Sequence, residues 1–157
     1  MMMQMRLALL AAFFAALPAS AGPLVAGPEF LSVKTPRANV RESPDKKAPI
    51  LWYVWKLMPV EVVAYQGRWV KVRDLDGDEG WMAKETLGSV PTVMVSPRKG
   101  APLRKAPGGK TEWILERGYS LRVFAEKDEW LEVSDLSEAS GWILKSEVWG
   151  APAPRAP

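Results

Sequence analysis

The chain has 157 residues, a formal net charge of +3, and neither histidine nor cysteine. This composition excludes disulfides, thiolate nucleophiles and histidine bases, and it removes nearly all zinc chemistry. Acidic and basic residues are mixed along the chain, which argues against nucleic acid as a partner, since nucleic-acid-binding proteins carry clustered positive charge. No two carboxylates stand where one would stay protonated for acid catalysis, so we expect no enzymatic activity and no cofactor.

Residues 1–21 are typical of a secretory signal peptide. Arg6 precedes an unbroken apolar run from Leu7 to Leu17, and Ala19 and Ala21 are the small residues that signal peptidase recognises. A membrane anchor is the alternative, but this run is well short of the roughly 20 residues that span a bilayer. We therefore expect cleavage after Ala21, a periplasmic or secreted protein, and no membrane insertion afterwards.

The remaining sequence divides into two domains with short flanking segments. Residues 22–29 are small and proline-containing and are predicted to be a flexible leader. The first domain is predicted over residues 30–88 and the second over residues 90–149. The link between the two is so short that the domains should touch. Residues 150–157 are rich in alanine and proline and should be extended.

Short strands separated by turn residues are predicted throughout the first domain. Residues 60–65, 68–75 and 79–84 are β-branched, aromatic or alternating, as half-buried strands are. Gln66-Gly67 supplies one turn, and Asp76-Gly77 is a strong two-residue hairpin signal. The segments that start at Lys84 and Lys145 look like single helical turns.

The second domain repeats the first at an offset of 61 residues. Three pairs of tryptophans stand in this register: Trp52 and Trp113, Trp69 and Trp130, Trp81 and Trp142. A repeat of this length is one small domain used twice. The predicted fold is all-β: two tandem small barrels, each of about five to six short antiparallel strands with a terminal helical turn.

These residues resemble the bacterial SH3 (SH3b) domain family. In the first repeat the resemblance rests on Asn39-Val40-Arg41, Pro44, Pro59-Val60-Glu61-Val62, Trp69-Val70-Lys71-Val72, Gly80-Trp81-Met82 and Leu87. In particular, Trp52 through Leu87 looks like the subfamily that is common in exported proteins of Gram-negative bacteria. The resemblance implies SH3-like barrels that bind peptidoglycan or its stem peptides without catalysis. The alternative is a periplasmic protein–protein adaptor that binds an extended peptide or a partner subunit, a cell-envelope protein.

Strand alternation divides the segment around Trp69 into two faces. Val70 and Val72 share one face, and Trp69 and Lys71 share the other, less buried face. Trp69 and its counterpart Trp130 are then either flat platforms for a sugar ring or an extended peptide, or rings that pack over a barrel end or between the domains.

The common fold of the two repeats does not require a tryptophan at position 55, because the counterpart of Trp55 is Glu116. Trp55 indicates a partner surface on the first domain, with packing against the second domain as the alternative. Arg41 and Lys71 are placed to orient carboxylates, although Arg41 could also belong to a solvated face. The predicted ligand-binding residues are Trp52, Trp55, Trp69, Arg41 and Lys71.

The segment Asp74-Leu75-Asp76-Gly77-Asp78 is similar to a calcium loop. Its glycine follows the second aspartate rather than the third, and no distal glutamate completes an EF-hand. A hairpin turn with solvated acids is therefore the favoured interpretation, and we expect no metal site.

Overall fold

The computed structural model describes residues 28–150, which form two antiparallel sheets, one for each copy of the repeat. The predicted signal peptide, most of the predicted leader and the tail beyond Gly150 lie outside the described residues. Within the described residues, no helix has the length and hydropathy needed to cross a membrane.

Each sheet contains seven strands in the same spatial order. The first comprises β1 (Phe30–Val33), β2 (Arg37–Arg41), β3 (Ile50–Trp55), β4 (Pro59–Gln66), β5 (Trp69–Arg73), β6 (Glu79–Ala83) and β7 (Leu87–Gly88). The second comprises β8 (Thr92–Val95), β9 (Ala101–Arg104), β10 (Thr111–Leu115), β11 (Ser120–Lys127), β12 (Trp130–Ser134), β13 (Ser140–Leu144) and β14 (Val148–Gly150). The orders are β3-β2-β6-β5-β4-β1-β7 and β10-β9-β13-β12-β11-β8-β14.

The predicted all-β tandem architecture is confirmed, with more strands in each barrel than expected. The additional strands are short, and β8 is buried along its whole length, so it has no polar and apolar alternation to read. The predicted helical turns are present as single 3-10 turns, Lys84–Thr86 and Lys145–Glu147. Glu29, which the sequence places in the leader, is already part of the first domain, because its carbonyl accepts a hydrogen bond from Val62 N–H at 2.8 Å.

The inward side chains of the central strands form one apolar core in each barrel. Val70 and Val72 on β5 are at most 1% exposed, whereas Trp69 and Lys71 on the other face are half-buried. The second barrel repeats the pattern, with Leu131 buried on β12. Burial of these aliphatic side chains is the main stabilising term for domains this small.

The loop between β5 and β6 is longer than the predicted two-residue turn. Asp74 N–H donates to the carbonyl of Asp78 at 2.9 Å, and Asp74 Oδ1 accepts hydrogen bonds from the N–H groups of Asp76 and Asp78, both at 2.9 Å. In the second barrel, Asp135 Oδ1 accepts from Ser137 and Ala139 in the same way. The repeated aspartate therefore closes its own hairpin, as side-chain caps of turns do.

The two barrels contact each other beside their short link. The Phe30 and Trp149 rings meet edge to face with centroids 5.0 Å apart, and Arg117 Nη2 lies 2.6 Å from Asp76 Oδ1. Trp55 is 56% exposed, so the alternative that it packs against the second domain is wrong.

Candidate functional site: the cleft beside Trp69

The turn from β4 to β5 and the end of β6 form the two walls of a cleft. Gly67, with φ of +56°, makes the turn that starts β5, and Trp69 pairs with Ala83 on β6. Lys84 N–H then donates to the carbonyl of Arg68 at 2.9 Å, which holds the 3-10 turn against the β4–β5 turn. Backbone hydrogen bonds thus position the side chains on both walls.

The cleft has a volume of about 410 Å³ and an excess of positive charge. Its lining residues are Lys46, Gly67, Arg68, Trp69, Ala83, Lys84 and Glu85. Within residues 28–150, none of its three cations has a carboxylate within ion-pair distance. A half-buried indole beside unneutralised cations suits a ligand that combines a carboxylate with an apolar body.

Tyr65 and Glu29 lie beside the cleft and orient one of its cations. Lys84 Nζ lies 5.6 Å from the centroid of the Tyr65 ring, and Tyr65 Oη donates to Glu29 Oε1 at 2.6 Å. Burial and this hydrogen bond raise the pKa of Tyr65 to about 12, so the ring stays neutral at physiological pH. A neutral aromatic face attracts the ammonium group without cancelling its charge.

The second barrel keeps the backbone of this cleft but not its charge. Trp130 pairs with Leu144, and Lys145 N–H donates to the carbonyl of Glu129 at 2.9 Å. Glu129 stands where the first barrel has a basic residue, and Lys145 Nζ is ion-paired with Glu126. Lys46 likewise corresponds to a proline. The cationic cleft thus belongs to the first barrel.

Of the five predicted ligand-binding residues, Trp69 lines the cleft. Lys71 Nζ lies 3.0 Å from Glu79 Oε2, and Arg41 Nη1 donates to the carbonyl of Ala48 at 2.7 Å. Both cations therefore already have partners within the protein.

The other two predicted residues lie on β3, away from this cleft. Trp52 is half-buried against the first core and lines a separate cavity beside the second domain. Trp55 stands exposed at the end of the strand. The five residues do not form one site.

The outer face of β5 and β6 carries a self-satisfied network of charges. Arg73 donates from Nε and Nη2 to Glu79 Oε1 at 3.1 and 2.8 Å, and from Nη1 to Glu61 Oε1 at 3.0 Å. The hydrogen bond from Lys71, followed by the one from Arg73, lowers the pKa of Glu79. These groups leave little charge for an incoming ligand, in contrast to the cleft.

The basic residues of the cleft were missed by sequence reasoning. Lys46 comes from the β2–β3 loop, whereas Arg68 and Lys84 flank turns, and no periodic pattern connects them. A signal was present in the repeat itself, because Arg68 aligns with Glu129. Charge differences between two copies of a fold mark positions that the fold does not require.

Solved structures that are similar to this chain include three NlpC proteins of low similarity. NlpC2 of Trichomonas vaginalis is 15% identical over 78% of this chain and 48% of its own, with a TM-score of 0.36. NlpC1 of Trichomonas vaginalis is 13% identical over 85% and 50%, with a TM-score of 0.37. An NlpC/P60 family protein of Bacillus cereus is 15% identical over 77% and 56%, with a TM-score of 0.38. The chain spans about half the length of each.

The family comparison is more specific. A search of curated proteins gives no match. The model of the bacterial SH3 domain matches twice, at residues 34–88 and 98–150, which is one match for each sheet. The chain therefore belongs to the bacterial SH3 domain family, as a tandem pair of its domains.

Proposed function

We propose that this protein is a non-catalytic binding module of the bacterial cell envelope that recognises the carboxylate-bearing stem peptides of peptidoglycan. The observation that carries the proposal is the cationic cleft beside Trp69, which one copy of the repeat has and the other lacks. Membership of the bacterial SH3 domain family supports a role at the cell wall.

The chemistry of the cleft suits short peptides that end in carboxylates. The indole of Trp69 offers a flat apolar surface for small aliphatic side chains, and Arg68 can bind a carboxylate through two parallel N–H donors. Lys46 and Lys84 add charge that attracts the ligand over about one Debye length, roughly 8–10 Å in physiological salt. Charge steers the approach, and the ring supplies the contact that excludes water.

Recognition without catalysis fits the same lining. Glu85 is the one carboxylate among the residues that line the cleft, and none of them carries a hydroxyl group. The cleft thus supplies a surface and positive charge but no nucleophile paired with a base. Export to the periplasm or beyond, with cleavage after Ala21, would bring this cleft to the cell wall.

An adaptor role is the second candidate, and the edge strand β3 favours it. Among residues 28–150, no strand pairs with the outer side of β3, and the exposed side chains of this strand are Ile50, Leu51, Tyr53 and Trp55. An uncharged edge of this kind can take an extended peptide as an additional strand. A partner of this surface would be a cell-envelope protein.

Co-sedimentation of the mature protein with purified sacculi tests the proposal. Trp69→Ala should weaken binding by about 2 kcal/mol, roughly thirtyfold, as loss of an aromatic anchor does. Trp130→Ala is the matched control, because it removes the equivalent ring from the barrel without the cationic cleft. Circular dichroism should show that both variants fold.

Two results would contradict the proposal. Equal retention of Trp69→Ala and wild type would show that the cleft is not the binding site. The adaptor role would be established instead if the mature protein did not bind sacculi but bound an envelope protein, and if Trp55→Ala abolished that binding.

A further inference from the structure

The second domain covers one end of the first barrel. A cavity of about 270 Å³ lies between them. On the side of the first barrel it is lined by Trp52, Met58 and Leu75 among others, and Met94, Arg117 and Gly118 of the second domain close it. The Arg117–Asp76 ion pair stands at its edge. This end of the first barrel is therefore shielded.

The same end of the second barrel has no cover within the described part of the chain. At the offset of 61 residues, the shielded side chains correspond to Trp113, Tyr119 and Leu136. These are 47%, 36% and 50% exposed, whereas all three counterparts in the first barrel are half-buried. An apolar surface that one copy of a repeat hides and the other exposes is a candidate for an intermolecular contact.

The covering segment also has a counterpart in the first domain. Lys56-Leu57 occupies the position that Arg117-Gly118 occupies in the second domain. Lys56 is exposed and keeps the positive charge of Arg117, while Leu57 adds an apolar side chain where Gly118 has none. One molecule thus carries both an uncovered barrel end and an unused covering segment.

Backbone strain marks both of these surfaces. Within residues 28–150, three residues other than glycine have positive φ: Leu57 at 73°, Asp128 at 53° and Leu136 at 67°. Left-handed backbone costs a residue with a side chain roughly 1–2 kcal/mol relative to the right-handed form. The counterpart of Leu57 is a glycine, so the fold does not need a side chain there. A leucine at a position where glycine would avoid the strain indicates that its side chain has a role.

We propose that the protein associates head to tail with a second copy of itself. The Lys56-Leu57 segment of one copy covers the Trp113, Tyr119 and Leu136 surface of the next, as Arg117-Gly118 covers the first barrel within a single chain. The two surfaces differ, so the contact is heterologous and leads to an open chain or a closed ring. This proposal goes beyond the proposed function and does not depend on it.

The sequence makes the intermolecular contact weaker than its intramolecular template. Asp76 corresponds to Ser137, which cannot form an ion pair. Lys56 of the other copy would instead pair with the neighbouring carboxylate of Glu138. Met94 of the covering surface corresponds in the β1–β4 pairing to Ser32, whose hydroxyl donates to Gly88. Leu57 supplies the apolar area that Met94 supplies within the chain.

Sedimentation velocity of the mature protein over a range of concentrations tests the association. The weight-average mass should rise with concentration up to about 0.5 mM, a range in which contacts of micromolar to submillimolar Kd are populated. Leu57→Gly and Leu136→Gly should each remain monomeric. Both variants should also fold, because glycine adopts the positive φ without strain. Asp128→Gly is the control, since it relieves similar strain in a turn outside both surfaces and should associate like wild type.

Mixing the two monomeric variants provides the decisive test. Leu57→Gly retains an intact barrel end and Leu136→Gly retains an intact covering segment, so an equal mixture should form a complex of one copy of each. A wild-type protein that stays monomeric, or a mixture that forms no complex, would overturn the proposal. Self-association of Leu57→Gly alone would also overturn it, because two barrel ends would then face each other.

Discussion

The two barrels place a tryptophan at the same point of the same sheet and surround it with different charge. Trp69 and Trp130 each start a central strand, and in both barrels the following 3-10 turn is fixed by one equivalent backbone hydrogen bond. Around Trp69 three basic side chains have no acidic partner among the described residues, whereas Glu129 and an ion-paired Lys145 stand beside Trp130. The tryptophan therefore belongs to the fold, and the charge around it distinguishes the surfaces.

The outer faces of the sheets differ in the same manner. In the first barrel, Arg73 and Lys71 are bound to two glutamates, and the four charges cancel. The counterpart of Arg73 is Ser134, and there Arg122 instead lies over the Phe124 ring at 5.0 Å. The two copies thus share an aliphatic interior and differ in the charges of their exterior.

The largest effect should come from a glycine that both barrels share. A Cβ added to Gly141 would lie 2.4 Å from the carbonyl oxygen of Arg104, and its φ is +153°. A Cβ added to Gly80 would meet Val40 Cγ1 at 2.4 Å, without the positive φ. Gly141→Ala should destabilise the protein by about 3 kcal/mol, because a backbone oxygen cannot move aside. Gly80→Ala should cost less, about 1–2 kcal/mol.

Urea denaturation of both variants measures the difference. Gly67→Ala is the control, since nothing lies within 4 Å of its added Cβ and only the positive φ remains, worth about 1 kcal/mol. If Gly80→Ala proved as costly as Gly141→Ala, the two barrels would be more alike at this point than their backbones indicate.

Most of the fold could be predicted from the sequence because its signals are local. Alternation around Val70 and Val72 identifies the buried face of β5, and the repeat of tryptophans identifies the second copy. The turn after β5 was predicted too short, since Asp74 binds backbone N–H groups with its side chain and so supports a longer loop. Trp149 at the domain contact was missed because its counterpart, Gly88, carries no ring.

The candidate site was less accessible from the sequence. Trp69 was identified because strand alternation places it opposite the core. Arg41 and Lys71 were expected to face a ligand. In the structure Arg41 binds the carbonyl oxygen of Ala48, and Lys71 binds the carboxylate of Glu79. Spacing along a chain does not reveal such partners, since they depend on neighbouring strands and loops.

Exchanging charge between the barrels should have the next largest effect. Arg68→Glu introduces the residue of the second barrel and should weaken sacculus binding about tenfold, the equivalent of 1.4 kcal/mol. The loss should shrink as salt is raised, because exposed charges are screened. Glu129→Arg reverses the charge at the equivalent position of the other barrel and should leave retention at its wild-type level. A gain in Glu129→Arg as large as the loss in Arg68→Glu would show that net charge, rather than the cleft, governs binding.

The smallest effect concerns a hydrogen bond that the first barrel lacks. Tyr119 Oη donates to Asp135 Oδ2 at 2.6 Å, whereas Met58 stands at the equivalent position beside Asp74. Burial tends to raise the pKa of Asp135, but hydrogen bonds from Tyr119 and from backbone N–H groups outweigh it and leave this pKa below its ordinary value. Asp135→Asn should therefore destabilise the protein by about 1 kcal/mol at neutral pH, and Asp74→Asn by less.

The pH dependence of that loss checks its cause. A carboxyl group with a lowered pKa stabilises the folded state above its unfolded pKa, and this stabilisation is lost as the pH falls through the folded value. The difference in the free energy of unfolding between wild type and Asp135→Asn should thus disappear in acid.

The hydrogen bond from Tyr119 to Asp135, together with burial, raises the pKa of Tyr119 to about 12, which matches the value for Tyr65. In a titration followed by tyrosinate absorbance, Asp135→Asn should move Tyr119 to lower pH and leave Tyr65 unchanged, because Tyr65 is bound to Glu29. An unaltered titration curve would mean that Tyr119 and Asp135 do not interact in solution, and the two hairpins would then be equivalent.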